Sequence, residues 1–496
     1  MPLALDPGLL AALRADLTAA PYTVARVQEI LGPVAAAALA REHVIPAERA
    51  TRGSGDPAAV LMRVFTLGDP VDHDLVEAAL PALGVAGALR LGLLDHSGDA
   101  VVATCDLRPY GDEAHDWWVA SDLSELATRA PLAPDHVLGV GGASTTLAGW
   151  AARPRVARAL DLGTGCGVQA LHLAAHADAI VATDLSERAL AFAAFNAALN
   201  EQHWDLRGGS LLEPVADERF GLIVSNPPFV ITPRAHGVPT YEYRDGGASG
   251  DGIVEHLVTR LGAHLEPGGI AQLLGNWEIP RGQDWRERVG TWAQAAGVDV
   301  WVIQREVQDP AQYAETWARD GGHQSGTAEF ARMYAAWLDD FAGRDVEAIG
   351  FGIVVLHRPE GDRPPFVDLT EALGPVAGPM GKAVLAGIRA RVWLAEHTAQ
   401  EMLDRAWRAA ADITIARHHA PGQDEPRVVE LVQGGGLRVR EPLDTAGSAL
   451  LSVCDGELSA RTALVAIAAL LEEDQDSLIA AQLPHLRRWI AAGVVA

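Results

Sequence analysis

The chain has 496 residues, 49% of them hydrophobic, and its 65 acidic against 39 basic side chains give a formal net charge of −26. At the usual ~100–200 residues per domain this length holds about three domains. So negative a field opposes association with a polyphosphate, which disfavours RNA or DNA as partner unless a local arginine-lined groove overrides it. No stretch approaches the ~20 apolar residues of a membrane span, and the amino terminus lacks a basic segment followed by a long apolar core, so a cytoplasmic protein without a membrane partner is expected. Cys105, Cys166 and Cys454 lie far apart and form no Cys-x-x-Cys pair, so neither a disulfide framework nor a metal site is expected.

Residues 1–140 read as a separate domain, mainly helical, with β-like stretches at 88–94, 101–105 and 117–119. The next segment is a buried-looking strand, a glycine-rich turn and a helix start: Leu160-Asp161-Leu162-Gly163-Thr164-Gly165-Cys166-Gly167-Val168. The glycines let a backbone approach a ligand closely, and the helix amino terminus offers unpaired N–H groups. The spacing is Gly-x-Gly-x-Gly rather than the Gly-x-Gly-x-x-Gly of a dinucleotide fingerprint, and Asp161 stands just before it, where a carboxylate repels a pyrophosphate but suits a cation. A second apolar strand, 179–184, ends in Asp184, where folds of this kind bind ribose hydroxyls. A cation beside Asp161 and a ribose at Asp184 describe S-adenosylmethionine better than NAD or ATP. The alternative is an ordinary βαβ unit with a glycine turn and two surface aspartates.

The apolar run 220–224 then stops at Ser225-Asn226-Pro227-Pro228-Phe229. This places a rigid amide at a strand's carboxyl end, suited to gripping a planar NH2 group. Two prolines fix φ and remove two backbone donors, leaving the neighbouring carbonyls free to accept from a substrate, while Phe229 can lie flat against whatever carries the nitrogen. By itself the segment reads equally as a proline-terminated strand with a core phenylalanine. A glycine-rich stretch, 241–252, forms one wall of the site. A helix near 253–265, strands at 270–274 and 298–303, a helix between them near 285–295, and a last strand at 349–356 complete a doubly wound, Rossmann-like α/β domain over 141–360. Within it the insertion 309–347 carries Tyr313, Trp317, His323, Tyr334 and Trp337, and is either a lid or a helical hairpin whose aromatics bury against the domain. His323 has no pairing partner visible in the sequence and is given no catalytic role.

From 361 to 496 helices near 382–408, a strand pair at 427–432 and 436–440, and helices at 446–453, 460–471 and 478–492 suggest a winged-helix-like α+β module. Its acidic residues outnumber its basic ones, which favours a protein contact over DNA.

The series Asp161 to Gly167, then Thr183-Asp184-Leu185-Ser186-Glu187, then Asn196-Ala197-Ala198-Leu199-Asn200, then Asn226-Pro227-Pro228-Phe229, resembles the class I S-adenosylmethionine-dependent methyltransferases. Within them it is most similar to the branch that modifies planar nitrogens, and there to the release-factor glutamine methyltransferases. The resemblance implies S-adenosylmethionine as cofactor, held by Asp161, Gly163, Thr164, Gly165, Gly167, Asp184 and Leu185, with Ser210 and Leu211 in the segment that contacts the adenine. It further implies Thr146 in a threonine-containing lead-in edging the cofactor pocket, and Asn226, Pro227, Pro228 and Phe229 as the catalytic set. Arg244 is a candidate for orienting a substrate carbonyl or carboxylate, or else a solvated loop arginine. The resemblance also implies a late antiparallel edge strand and an N-terminal domain that binds a protein partner.

Two departures from the family pattern bear on substrate. Phe229 stands where the glutamine-modifying enzymes usually have tyrosine and is more typical of some guanine-N2 and adenine-N6 RNA enzymes. Ser210 stands where aspartate is frequent. The expected activity is direct methyl transfer to a glutamine-type amide of a protein. The alternatives are a nucleobase N-methyltransferase acting on RNA, a small-molecule or peptide N-methyltransferase, and a non-catalytic cofactor-binding protein.

Overall fold

The computed structural model describes residues 3–128, 130, 132–234, 238, 240–245, 249–320 and 325–496. The N-terminal region is mostly helical, from Pro7–Ala19 to Gly84–Leu91, with a small three-stranded sheet and a hairpin of Asp106–Gly111 with Asp116–Ser121. The β-like reading of 88–94 is corrected. Val85, Ala88 and Leu91 recur at helical spacing on the buried face of Gly84–Leu91, and Gly92, at φ +78°, ends that helix before strand Leu94–Ser97 begins.

The middle of the chain builds one eight-stranded sheet. Its strands are β1 (Val156–Leu162), β2 (Ala177–Asp184), β3 (Trp204–Gly208), β4 (Phe220–Ser225), β5 (Leu265–Pro280), β6 (Asp299–Gln308), β7 (Val346–His357) and β8 (Val367–Glu371). The order across the sheet is β8-β6-β7-β5-β4-β1-β2-β3. Strands β1 to β5 run parallel, while β7 is antiparallel to both its neighbours, β5 and β6. The antiparallel strand is therefore interior, not the expected edge: its backbone pairs along both sides, with β5 and with β6, while Ile349, Ile353, Val354, Val355 and Leu356 are buried on its faces. Because β8 pairs parallel with β6, the sheet also continues past residue 360, and the expected boundary between 360 and 361 falls before its last strand.

Helices α1 (Gly142–Trp150), α2 (Val168–Leu173), α3 (Glu187–Leu199), α4 (Gly252–Arg260) and α5 (Trp285–Ala295) cover the sheet. The N-terminal core is continuous with α2 and α3 through Val168, Leu171, Phe192, Phe195 and Leu199. Hydrogen bonds join the two regions as well. The buried amide of Asn196 pairs with both the N–H and the C=O of Ala120 in the hairpin, at 2.7 and 2.8 Å, and also donates to the Cys166 carbonyl at 2.8 Å.

The insertion forms two helices, α6 (Pro310–Asp320) and α7 (Ala328–Gly343), with Tyr313, Trp337 and Phe341 buried against Val230, Ile231 and Ile349. His323 lies outside the described residues. Helix α8 (Gly381–Glu396) then packs Val384 and Ile388 against Trp301 and Ile303 of the sheet. Beyond it lies an α+β unit with its own core around Trp407, Leu450, Leu464 and Trp489. The strand pair expected there is part of a three-stranded antiparallel sheet, Ile413–His419, Pro426–Gln433 and Arg440–Leu443. Among the described residues no helix is long and apolar enough to cross a membrane.

Candidate active site

The strand order reverses at β1/β4, and an open α/β sheet forms its ligand crevice where such a reversal occurs, outside the carboxyl ends of the strands. Leu162 pairs with Ser225 there, and the Ser225 hydroxyl donates to the Leu162 carbonyl at 2.7 Å, so the glycine loop and the Asn226 turn start side by side. A cavity of about 310 Å³ opens between them.

On one side the loop rises from β1 with Gly163, Gly165 and Gly167 all in the left-handed region, at φ +73°, +55° and +93°. Any other residue there would be strained. The N–H groups of Gly163 and Thr164 donate to the Thr183 carbonyl, and that of Gly165 to the Asp184 carboxylate at 2.8 Å. The second Asp184 oxygen accepts from Ser186 N at 2.9 Å. Each carboxylate oxygen has a further lone pair, so Asp184, which lines the cavity, can still receive ribose hydroxyls. Burial raises its carboxyl above the ordinary range. Gly163, Thr164, Gly165, Leu185, Ser210 and Leu211 line the same cavity.

Three expected cofactor residues stand elsewhere. Asp161 lies beneath the loop and not in the wall; one oxygen accepts from the Thr164 hydroxyl at 2.6 Å and from Ala170 N at 2.9 Å, and the other is buried without a partner. Burial pushes its carboxyl up to about 7. Gly167 starts α2 behind the wall, where a Cβ would meet the Trp204 ring at 2.5 Å, so its smallness serves helix packing. Thr146 is exposed on α1, and Ser144 faces the cavity instead. At 100° per residue, positions two apart lie nearly on opposite faces of a helix, so the lead-in can offer only one of them. Cys166 does line the cavity, with its thiol pushed up to about 12 by burial, which keeps it protonated and unreactive at neutral pH.

On the other side Asn226, Pro227 and Pro228 line the cavity, and the Asn226 side-chain oxygen is buried with no hydrogen-bond partner. Phe229 borders an adjoining small depression that shares Pro228 and Ile253 with the cavity, and its ring meets Trp317 edge-on at 6.1 Å. The adjoining wall is built from His136–Gly139, Glu242, Tyr243 and Asp245; the Glu242 N–H donates to the Pro134 carbonyl at 2.9 Å, and Asp245 bridges to Phe229. Glu242, Tyr243 and Asp245 belong to the glycine-rich stretch expected to form a wall; Gly246, Gly247 and Ala248 lie outside the described residues. The 136–139 stretch carries no periodicity or motif that would have placed it here. Burial lowers the pKa of its His136 imidazole, favouring the neutral form.

Arg244 stands behind this wall, 3% exposed. Its guanidinium donates to the Trp317 carbonyl at 2.8 Å, pairs with Asp320 at 3.1 Å and lies over the Tyr241 ring. The expected substrate contact is thus replaced by a tie between the wall and α6. Among the described residues the cavity lining includes the carboxylates Asp184, Glu242 and Asp245 and no lysine or arginine.

Two family models match parts of the chain. Residues 142–304 match the methyltransferase small domain, and residues 19–104 match a domain of unknown function, DUF7059. The release factor glutamine methyltransferase of Geobacter sulfurreducens is 39% identical over 126 residues, which cover 23% of this chain and 44% of that protein. The ribosomal protein uL3 glutamine methyltransferase of Bradyrhizobium diazoefficiens is 34% identical over 125 residues, 23% of this chain and 39% of its own. The ribosomal RNA small subunit methyltransferase C of Alcanivorax borkumensis is 28% identical over 123 residues, 25% and 33% respectively. The chain thus spans less than half the length of each of these relatives. S-adenosylmethionine use is a general property of the matched family. Residues 142–304, which carry the glycine loop and the Asn226 turn, are thus similar to the methyltransferase small domain.

Proposed function

We propose that the protein is a cytoplasmic S-adenosylmethionine-dependent N-methyltransferase that acts on a planar nitrogen, a glutamine-type amide of a protein. The observation that carries this reading is the buried, unpartnered side-chain oxygen of Asn226 in the wall of the cavity. An acceptor left so costs about 1–3 kcal/mol, a cost that an incoming NH2 group removes.

The residues present fit the cofactor. Asp184 suits the ribose hydroxyls, Leu185, Ser210 and Leu211 the adenine, and the Gly163–Gly165 turn the methionine end. Asp161, below the loop, supplies negative charge without a direct contact. When bound, the cofactor supplies an electrophilic methyl group. Asn226 and the Pro227 carbonyl then accept from the acceptor's NH2, hold its nitrogen in line and stabilise the positive charge that develops on it.

The rRNA-modifying relative and Phe229 support a second reading, a nucleobase acceptor. Against it stand the net charge and the carboxylates of the cavity, which repel a phosphate-bearing substrate. We read residues 1–140 as a substrate-recognition region and the C-terminal unit as a winged-helix-like module for protein contact. Incubation with tritiated S-adenosylmethionine and lysate from the protein's own source tests this. Protease-sensitive label supports the amide reading; nuclease-sensitive label overturns it, and label confined to small molecules redirects it to a metabolite or peptide acceptor.

A further inference from the structure

The backbone of Ile231, two residues past Phe229, is gripped at both its polar ends by the insertion. Its N–H donates to the Tyr313 hydroxyl of α6 at 2.8 Å, and its carbonyl accepts from the Trp337 indole N–H of α7 at 2.8 Å. Tyr313, Trp337 and Ile231 are buried, and the Tyr313 hydroxyl also sits 2.8 Å from the side-chain amide nitrogen of Asn276 on β5. One hydroxyl thus joins the insertion, the sheet and the segment leaving the Asn226 turn.

The same helix α6 also holds the adjoining 241–245 segment, which bridges to Phe229 through Asp245. Its Trp317 carbonyl and Asp320 carboxylate hold Arg244, Asp320 also accepts from the Tyr243 hydroxyl at 2.9 Å, and the Trp317 ring abuts Phe229. Between the two walls, Val230 N donates to the Arg244 carbonyl. A lid must leave the site to admit substrate, and leaving would here strand buried donors and acceptors on the turn and on the adjoining 241–245 wall.

We propose that the α6–α7 insertion is a fixed strut that sets the pose of the Asn226–Phe229 turn and of the adjoining 241–245 wall, with Tyr313 and Trp337 as positioning residues. This rests on the reading of that turn as the acceptor site. Since near-attack geometry tolerates little displacement, the consequence is a dependence of turnover on groups that touch neither cofactor nor acceptor.

The test pairs Tyr313→Phe, which keeps the ring and deletes the hydroxyl, with Trp337→Phe in the full-length chain. Expected for both is a fall in kcat of about tenfold or more. S-adenosylmethionine affinity should stay within about twofold, and amide exchange across 229–233 should quicken. In the wild type, exchange of α6 and α7 should be slow without ligand and unchanged by S-adenosylmethionine. Unaltered kcat in both variants overturns the proposal, as does a hairpin that exchanges freely when unliganded and becomes protected on binding. If the wild-type protein transfers no methyl group at all, the functional reading fails and the exchange measurements alone decide the strut. If one variant does not fold, the other carries the test.

Discussion

On the cofactor side of the cavity the polar groups that are paired find partners within a short stretch of chain, Asp161 with Thr164 and Ala170 and Asp184 with Gly165 and Ser186, while one Asp161 oxygen and the Thr183 hydroxyl are left without a partner. On the acceptor side the segment beyond Asn226 is held by Tyr313 and Trp337, which lie 82 and 106 residues from Ile231, and the Asn226 oxygen is left without a partner. The contrast separates two jobs. A cofactor site common to many enzymes can be built from one βαβ unit, whereas an acceptor site is assembled from distant segments and keeps a polar atom for its substrate.

Asn226→Ala breaks the comparison at its most sensitive point, by removing the side-chain amide that carries the unpartnered oxygen. Turnover on the true acceptor should fall by about 10²–10³-fold while S-adenosylmethionine affinity changes by less than about twofold. A rate within a few-fold of wild type would remove Asn226 from the mechanism.

Gly167→Ala strikes the other side. Its Cβ at φ +93° would meet the Trp204 ring at 2.5 Å, and strain plus overpacking should lower stability by about 3 kcal/mol, read as a shift in the denaturant midpoint. A midpoint that does not move would show that α2 and Trp204 yield freely.

Asn196→Ala should cost about 2 kcal/mol, because the Ala120 and Cys166 carbonyls and the Ala120 N–H lose buried partners. Since Cys166 belongs to the glycine loop, S-adenosylmethionine affinity should fall as well. Lost stability with unchanged affinity would mean that the N-terminal hairpin and the loop are energetically separate.

The smallest effect is a pH dependence. Burial pushes the Asp161 carboxyl up to about 7 from an ordinary value of 3.8. Between these values the folded chain holds a proton that the unfolded chain has released, so the unliganded protein loses stability as pH rises through that window and levels off above about 7. A cationic cofactor favours the ionised carboxylate, so its binding expels the proton and its affinity should rise over the same window, by at most about tenfold per unit. Calorimetric titration with S-adenosylmethionine at several pH values checks this, and Asp161→Asn should flatten the profile. A flat wild-type profile would show that Asp161 does not sense the bound cation.

The short-range half was largely legible in the sequence. The loop glycines, Asp184 and the Asn226 turn are local signals, since a left-handed turn needs glycine and a strand ends at paired prolines. Where this reading failed, the missing quantity was orientation or packing: Thr146 against Ser144 on one helix, Gly167 behind the wall, Asp161 turned under the loop. The acceptor half was less legible. Glu242, Tyr243 and Asp245 fell within a recognised glycine-rich wall, but the 136–139 stretch carries no periodicity to place it beside them. Arg244 looked like a substrate contact because its partners, Trp317 and Asp320, lie far along the chain.

Sequence alone determined the βαβ unit with its glycine loop and the proline-terminated turn at Asn226, because backbone sterics and hydrophobic periodicity act over a few residues. Only tertiary structure decided that the antiparallel strand lies inside the sheet, that the sheet gains a further strand beyond residue 360, and that the insertion grips Ile231. Each of these depends on which distant groups meet, and the requirement that buried polar groups find partners is satisfied by the fold as a whole.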